Sequence, residues 1–297
     1  MTGVRIAITG ASGLIGSALS SYLVARGDDV RHLVRRDART GSEISWDPAR
    51  RRLDPDAFDG VDAVVHLAGA GVADHRWTAS YKQEILASRT DGTTAVATAV
   101  AAHGDRIRLV SGSAVGYYGD RGDEVLTEAS APGDDFLADV TQAWEASAHP
   151  ASDAGAPVAL VRTGLVMSRD GGGFKPLIQL GRLGLAGPIG SGRQFWPWIT
   201  LDDEVRALAH LVDHREVVGP VNLVGPEPLP QAQVVAEVAR QLGRPSVVPA
   251  PSFALRAVLG GFSSSVTGSQ RVVPTRLRES GFDWVHGTLP AAVATLV

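Results

Sequence analysis

An α/β fold, a doubly wound parallel sheet with helices on both faces and a smaller interwoven C-terminal domain, follows from three observations on the 297-residue chain. Apolar runs of strand length recur near residues 4–9, 29–34, 60–69, 107–111 and 157–161, with helical patterns between the early ones, which is the rhythm of parallel crossover units. Three glycines, Gly10, Gly13 and Gly16, stand where the first run gives way to the first helix. Beyond Val166 the composition shifts to Gly171-Gly172-Gly173, many prolines and the aromatics Phe195, Trp196 and Trp198, which marks the smaller lobe.

The first strand leads through Gly10-Ala11-Ser12-Gly13-Leu14-Ile15-Gly16 into a helix over 17–26, with Ala18, Leu19, Tyr22 and Leu23 on its apolar face. This strand–turn–helix brings backbone N–H groups to a helix N-terminus, where a pyrophosphate is stabilised. The three glycines serve a tight turn, close approach of the phosphate and close packing of helix on strand. Gly10, Ser12, Gly13, Leu14, Ile15 and Gly16 are therefore expected to contact a dinucleotide.

The second strand, 29–34, ends at Arg35-Arg36. A dinucleotide site that prefers NAD(H) has a carboxylate here for the ribose 2′-OH. Two guanidiniums suit a 2′-phosphate instead, so the cofactor is expected to be NADP(H).

Residues 40–59 are polar, and Trp46-Asp47-Pro48 suggests a short strand and a turn. The run 60–69 reads as a buried parallel strand ending in Leu67, Ala68 and Gly69, small enough for a flat cofactor to lie against. His66, inside that run, reads as a core histidine. A helix continues to about residue 103 and carries Glu84 and Arg89, with helix-surface salt bridging as the alternative to a cofactor role. The strand 107–111 opens into Ser111-Gly112-Ser113-Ala114-Val115-Gly116-Tyr117-Tyr118-Gly119. Asp202-Asp203 followed by Glu204 could suggest a metal site. Residues 234–242 form an amphipathic helix, and the chain is expected to cross back between the lobes near 200–224.

A hydrophobic content of 44% with 20% charged residues is ordinary for a soluble globular chain. The formal net charge of −4 speaks against a nucleic-acid or membrane-surface partner. With no cysteine, thiolate nucleophiles, disulfides and Cys-ligated metals are excluded. No run reaches the length of a membrane span, and the first strand begins at once, so the expected location is cytoplasmic. Of 28 basic residues only Lys82 and Lys175 are lysines.

The segments TGASGLIG, DAVVHLAG and SGSAVGYYG, in that order, resemble the short-chain dehydrogenase/reductase superfamily in its extended, epimerase-like form. Arg162-Thr163-Gly164-Leu165-Val166, the run from Arg193 to Asp203, and Gly219 to Val224 continue the resemblance over nearly the whole chain. It is strongest to a subgroup with a C-terminal domain of unknown function, matched here by Ala186 to Gln194 and by Gly268 to Leu277. The resemblance implies a Rossmann-like domain over residues 1–165, a substrate-binding domain over 166–297, and a tendency to form homodimers. It places Leu67, Ala68, Gly69 and Arg89 beside the nucleotide and Val166 near the nicotinamide, with Glu84 one turn and a residue before Arg89. It makes Ser113 the serine that binds a substrate oxygen, Tyr117 or Tyr118 a nearby aromatic group, and Asp202, Asp203 and Glu204 a helix N-terminus, where carboxylates suit the dipole, instead of a metal site. Arg193, Trp196 and Trp198 line the cleft of the second domain, for an acidic or carbohydrate-like small molecule; packing of the tryptophans in a core is the alternative.

One part of the family pattern is missing. The usual acid/base is a Tyr with a Lys four residues later, where the Lys lowers the phenol pKa. None of Tyr22, Tyr81, Tyr117 and Tyr118 is followed by such a lysine. Laid on residues 135–146 with Glu145 as anchor, the family's helix has Leu137 and Thr141 at those two places. Two functions therefore stay open. One is an NADP(H)-dependent oxidoreductase or epimerase-like enzyme with an altered acid/base set; the other is a non-catalytic NADP(H)-binding sensor or scaffold.

Overall fold

The structure is a computed structural model and describes residues 3–246, 249 and 260–297. Its main sheet is built outward from the first apolar run, β1 (Arg5–Thr9), with β2 (Asp29–Val34) and β3 (Glu43–Ser45) on one side and β4 (Ala63–His66) and β5 (Arg108–Ala114) next on the other. After β6 (Val125–Leu126), a two-residue strand outside this sheet, β7 (Val158–Thr163) pairs with β5. All pairings within the sheet are parallel, and its order is β3, β2, β1, β4, β5, β7 and then β11 (Gly219–Leu223) at the far edge.

Alternation along β1 shows why both faces are covered. Ile6 and Ile8 turn to one face and meet Leu19 and Leu23 of α1 (Leu14–Arg26) and Leu208 and Leu211 of α6 (Leu201–Asp213). Ala7 turns to the other face, with Val64 and Leu109, against Val96 and Val100 of α2 (Ala79–Ala101). Strands buried on both faces lose their polar alternation, which is why they read as continuous apolar runs. Arg108, fully buried at the head of β5, donates to the carbonyl oxygens of Leu211, Arg215 and Val217 and so satisfies the C-terminal end of α6 and the loop after it.

Beyond β7 the chain forms β8 (Leu165–Met167), which pairs with β10 (Trp198–Thr200), and α5 (Phe174–Arg182). It then returns to the sheet edge as β11 before leaving again for α7 (Gln231–Gln241). Phe174, Ile178, Trp198, Val234 and Val238 pack into a core of their own with Leu289 and Val293. The helix start expected at residue 17 lies earlier, at Leu14, because Gly13 already serves as its N-cap.

Candidate functional site

The glycine turn is built by contact. Gly10 has φ +68°, and a Cβ there would lie 2.9 Å from the Leu67 backbone, so the turn abuts the end of β4. A Cβ on Gly16 would lie 2.2 Å from the Gly10 carbonyl oxygen. Only glycine lets α1 begin this close to β1. The turn is closed by Gly13 N–H donating to Gly10 O at 2.9 Å. No side chain caps α1 and its first turn carries no acid. The first-turn N–H groups over Leu14–Gly16 therefore have neither intrahelical partners nor a capping oxygen, which suits a pyrophosphate.

Thr9 ties the ends of β1 and β4 together. Its Oγ1 accepts from Leu67 N–H at 3.0 Å and Ala68 N–H at 3.2 Å, which leaves its own proton for His66 Nδ1 at 2.7 Å. The amides of Leu67 and Ala68 are thus already satisfied, and these two residues can offer a cofactor only carbonyl oxygens and side-chain surface. His66 is fully buried and neutral, its pKa pulled down to about 4 by burial. Arg89 donates to the carbonyl oxygens of Ala70 (2.9 Å) and Ile85 (3.1 Å), with its guanidinium 4.9 Å from the centre of the Trp144 ring. Its stem passes Gly69, so it braces the loop after β4. Glu84 is exposed beside Tyr81, whose hydroxyl donates to the Gly71 carbonyl of that loop. Leu14 and Val166 meet the same short stretch: a Cβ on Gly171 would lie 3.5 Å from Leu14, and one on Gly172 3.6 Å from the Val166 carbonyl oxygen.

Arg35 and Arg36 differ. Arg36 Nη1 and Nη2 donate to the two oxygens of Glu43 at 2.8 and 2.6 Å, across the β2–β3 pair. That fork holds the Glu43 carboxyl at about 2 and satisfies most of the Arg36 guanidinium. Arg35 is exposed and makes no ion pair among the described residues.

Leu137 and Thr141, at the family's Tyr and Lys places, bond to each other, Thr141 Oγ1 donating to Leu137 O at 2.7 Å, and one turn beyond them lies a closed polar network. Ser113 Oγ donates to Glu145 Oε1 at 2.6 Å. Glu145, one turn past Thr141 on α3 (Phe136–Ala146), also accepts from Arg162 of β7, Nε to Oε1 at 2.8 Å and Nη2 to Oε2 at 2.9 Å. Burial works against the Arg162 charge, but the bonds to Glu145 outweigh it and hold the guanidinium above its ordinary range. Arg162 also donates to Tyr118 Oη at 3.0 Å, and Tyr118 donates to Asn222 Oδ1 at 2.7 Å. The Arg162 guanidinium carbon sits 3.4 Å from the centre of the Tyr117 ring.

This arrangement corrects two expectations. Tyr118 is fully buried, its pKa pushed up to about 12 mainly by burial, and both its bonds are internal, so it has no surface for a substrate. Tyr117, half-buried, is the tyrosine of the pair that retains an exposed surface. Trp198 is 1% exposed and packs in the core of the smaller lobe, with Gly225 against its ring, so it lines no cleft. Trp196 is half-buried and donates its indole N–H to the Val266 carbonyl at 3.2 Å, while Arg193 is exposed.

The acidic trio also divides. Thr200 caps the helix, its Oγ1 accepting from Asp203 N–H at 3.0 Å, and the Asp203 carboxylate accepts from Thr200 Oγ1 and from the amides of Val285 and His286 at 3.1, 2.8 and 3.0 Å, tying the helix start to the C-terminal segment. Glu204 points inward instead. It is fully buried, accepts one bond from Thr163 Oγ1 at 2.8 Å, and is pushed up to about 8 by burial.

Glu145 and Arg162 were legible as residues but not as a site. The usable signal was a charged Arg inside an apolar strand, which demands a buried partner. Among the described residues no helix is long and apolar enough to cross a membrane.

A parallel sheet covered on both faces, with a glycine turn and an uncapped helix N-terminus at the end of its first strand, defines a Rossmann-like α/β protein. The chain belongs to the NAD dependent epimerase/dehydratase family, whose model matches residues 6–225; residues 250–296 match a domain of unknown function, DUF1731. It is 40% identical over 294 residues to the epimerase family protein Mb2239 of Mycobacterium bovis, covering 99% of this chain and 97% of the relative. The crystal structure of human epimerase family protein SDR39U1 (isoform 2) with NADPH superposes with a TM-score of 0.90 at 32% identity, covering 99% of each chain. A nucleoside-diphosphate sugar epimerase from Corynebacterium glutamicum superposes with a TM-score of 0.77 at 34% identity, covering 99% of this chain and 58% of that one.

Proposed function

We propose that the protein binds NADP(H) and serves as an oxidoreductase or epimerase-like enzyme on a small polar molecule. The observation that carries this is the glycine turn before an uncapped helix, with the unpaired Arg35 at the end of the neighbouring strand. The likeness to a human relative crystallised with NADPH supports the same cofactor. The amides over Leu14–Gly16 would hold the pyrophosphate, Arg35 the 2′-phosphate, and Gly69 and Val166 would border the nicotinamide. When bound, NADP(H) supplies or accepts a hydride.

The chain's own part is proton handling without a Tyr–Lys pair. Because the Ser113 proton is directed to Glu145, only its lone pairs remain for a substrate, which would have to donate to them. A substrate hydroxyl donating to Ser113 Oγ has a path for its proton: onto Ser113 as the Ser113 proton passes to Glu145 Oε1. Arg162 fixes the carboxylate that receives it. Arg193, exposed near the smaller lobe, suits an acidic or carbohydrate-like end of the substrate.

One observation favours the rival reading, a sensor or scaffold: Ser113 is itself only 4% exposed and Tyr118 is sealed, so the network is closed in this conformation. Separate titrations with NADPH and NADH, followed by nucleotide fluorescence, test the cofactor. We expect NADPH to bind at least about tenfold more tightly. Binding of neither nucleotide would overturn the proposal. Transfer of deuterium from 4-deuterated NADPH to any metabolite would exclude the scaffold.

A further inference from the structure

We infer that Arg271 anchors an oxyanion site, formed with Phe195 and Arg193, that takes the phosphate or carboxylate of a small molecule. The site uses none of the residues of the glycine turn or of the Ser113–Glu145–Arg162 network, and it does not depend on the NADP(H) reading. Arg271 lies within the segment 250–296 that matches the domain of unknown function, so the site gives that segment a task.

Strand alternation holds Arg271 in place. Its neighbours turn inward: Val272 packs with Tyr118 and Leu126, and Gln270 donates its side-chain amide to the Val115 carbonyl at 3.0 Å. Arg271 therefore turns the other way, to the side on which its register partner Val125 of β6 is 49% exposed. Phe195 is stitched to the same segment, its N–H donating to Ser269 Oγ at 3.0 Å and its carbonyl accepting from Gln270 N–H at 3.1 Å. That brings its ring centre to 5.1 Å from the Arg271 guanidinium carbon.

The Phe195 ring attracts the cation but offers no oxygen to its N–H groups. Arg271 Nε is buried and meets no acceptor among the described residues, and a buried donor of a charged group is costly until an acceptor reaches it. The carboxylates around this segment are engaged elsewhere. Asp120 accepts from Gly122 N–H at 3.2 Å and Ser269 N–H at 3.1 Å, and Glu124 is forked by Arg121 at 2.9 and 2.7 Å. Arg193 is exposed and makes no ion pair among the described residues, while Gln194, between it and Phe195, turns inward to the Ile189 carbonyl at 3.1 Å. Two guanidinium forks without a carboxylate suit a planar carboxylate or a phosphate, either of which accepts two bonds from one fork.

The test is calorimetric titration of the full chain, with and without NADPH, using inorganic phosphate and succinate separately at fixed ionic strength. At least one of them should bind, and Arg271→Met, which keeps an apolar stem for Phe195, should weaken it about tenfold. Arg193→Ala should weaken it about threefold, and Arg244→Ala, at an exposed arginine of the smaller lobe, less than about twofold. NADPH affinity should stay within about twofold in every variant. Binding of phosphate alone assigns a phosphorylated ligand, and binding of succinate alone a carboxylic acid. Should Arg271→Met fail to fold, Arg271→Lys decides, since it keeps the charge and loses the fork, and it should weaken the anion about threefold. Neither anion bound by wild type, or an affinity that either Arg271 variant leaves unchanged, overturns the inference and leaves the NADP(H) reading standing. Wild type that binds an anion through Arg271 but no NADPH overturns only the cofactor reading.

Discussion

Ser113 Oγ donates to Glu145 Oε1 at 2.6 Å, and the carboxylate that accepts this bond is forked by Arg162. A serine expected to donate to a substrate oxygen is thereby turned into an acceptor. The network also joins α3 to β5 and β7, so the bonds that would carry the proposed proton path also hold the fold together.

The two halves of that role separate by mutation. Glu145→Gln leaves a buried Arg162 charge poorly compensated and should lower stability by about 3–5 kcal/mol. Ser113→Ala keeps the ion pair and should cost about 1–2 kcal/mol. Urea unfolding with tryptophan fluorescence reads both. Equal costs would mean that the carboxylate is not the centre of the network.

Tyr118→Phe removes the donor to Asn222 and the acceptor for Arg162, at an expected cost of about 1–3 kcal/mol. NADPH affinity should not move. Tyr117→Phe keeps its ring over Arg162 and should leave the unfolding midpoint nearly unchanged. The opposite order would place the structural tyrosine at 117.

Glu204 makes stability depend on pH in a direction unusual for a carboxylate. Burial raises its pKa in the folded chain to about 8, well above the unfolded value, so the folded state holds a proton that the unfolded state has released. Its contribution is fully present below the unfolded carboxyl pKa and is lost as pH climbs to about 8, with a slope approaching about 1.4 kcal/mol per pH unit. Glu204→Gln should flatten this dependence and stabilise the chain at pH 8–9 relative to wild type. Denaturant midpoints between pH 5 and pH 9 decide it; parallel curves for the two proteins would show that Glu204 is ionised when folded.

Gly16→Ala places a Cβ 2.2 Å from the Gly10 carbonyl oxygen, both of them backbone-borne. α1 must shift away from the turn, which should cost about 1–3 kcal/mol and abolish measurable NADPH binding. Thermal unfolding with and without NADPH tests it: the variant should lose the nucleotide-dependent rise in Tm. A rise equal to that of wild type would remove the turn from the nucleotide site.

The amino-acid sequence by itself determined the sheet, its parallel sense and the glycine turn, because each depends on contiguous residues: an apolar run, three glycines and a helical pattern within about twenty positions. It also showed that the Tyr–Lys pair was missing, since the spacing between four tyrosines and two lysines is read without coordinates. Which polar groups face one another was decided only by the tertiary structure. Ser113, Glu145 and Arg162 come from a strand, a helix and a second strand, and nothing local in the chain says that the helix lays its carboxylate between the two. Arg35 and Arg36 are adjacent in sequence and identical in chemistry. Their difference arises because β3 pairs beside β2 and brings Glu43 to one guanidinium but not to the other. Trp198 and Tyr118 looked like site residues for the same reason that Glu204 looked like a surface cap: residue type and spacing carry no record of which side of an element the rest of the chain will cover.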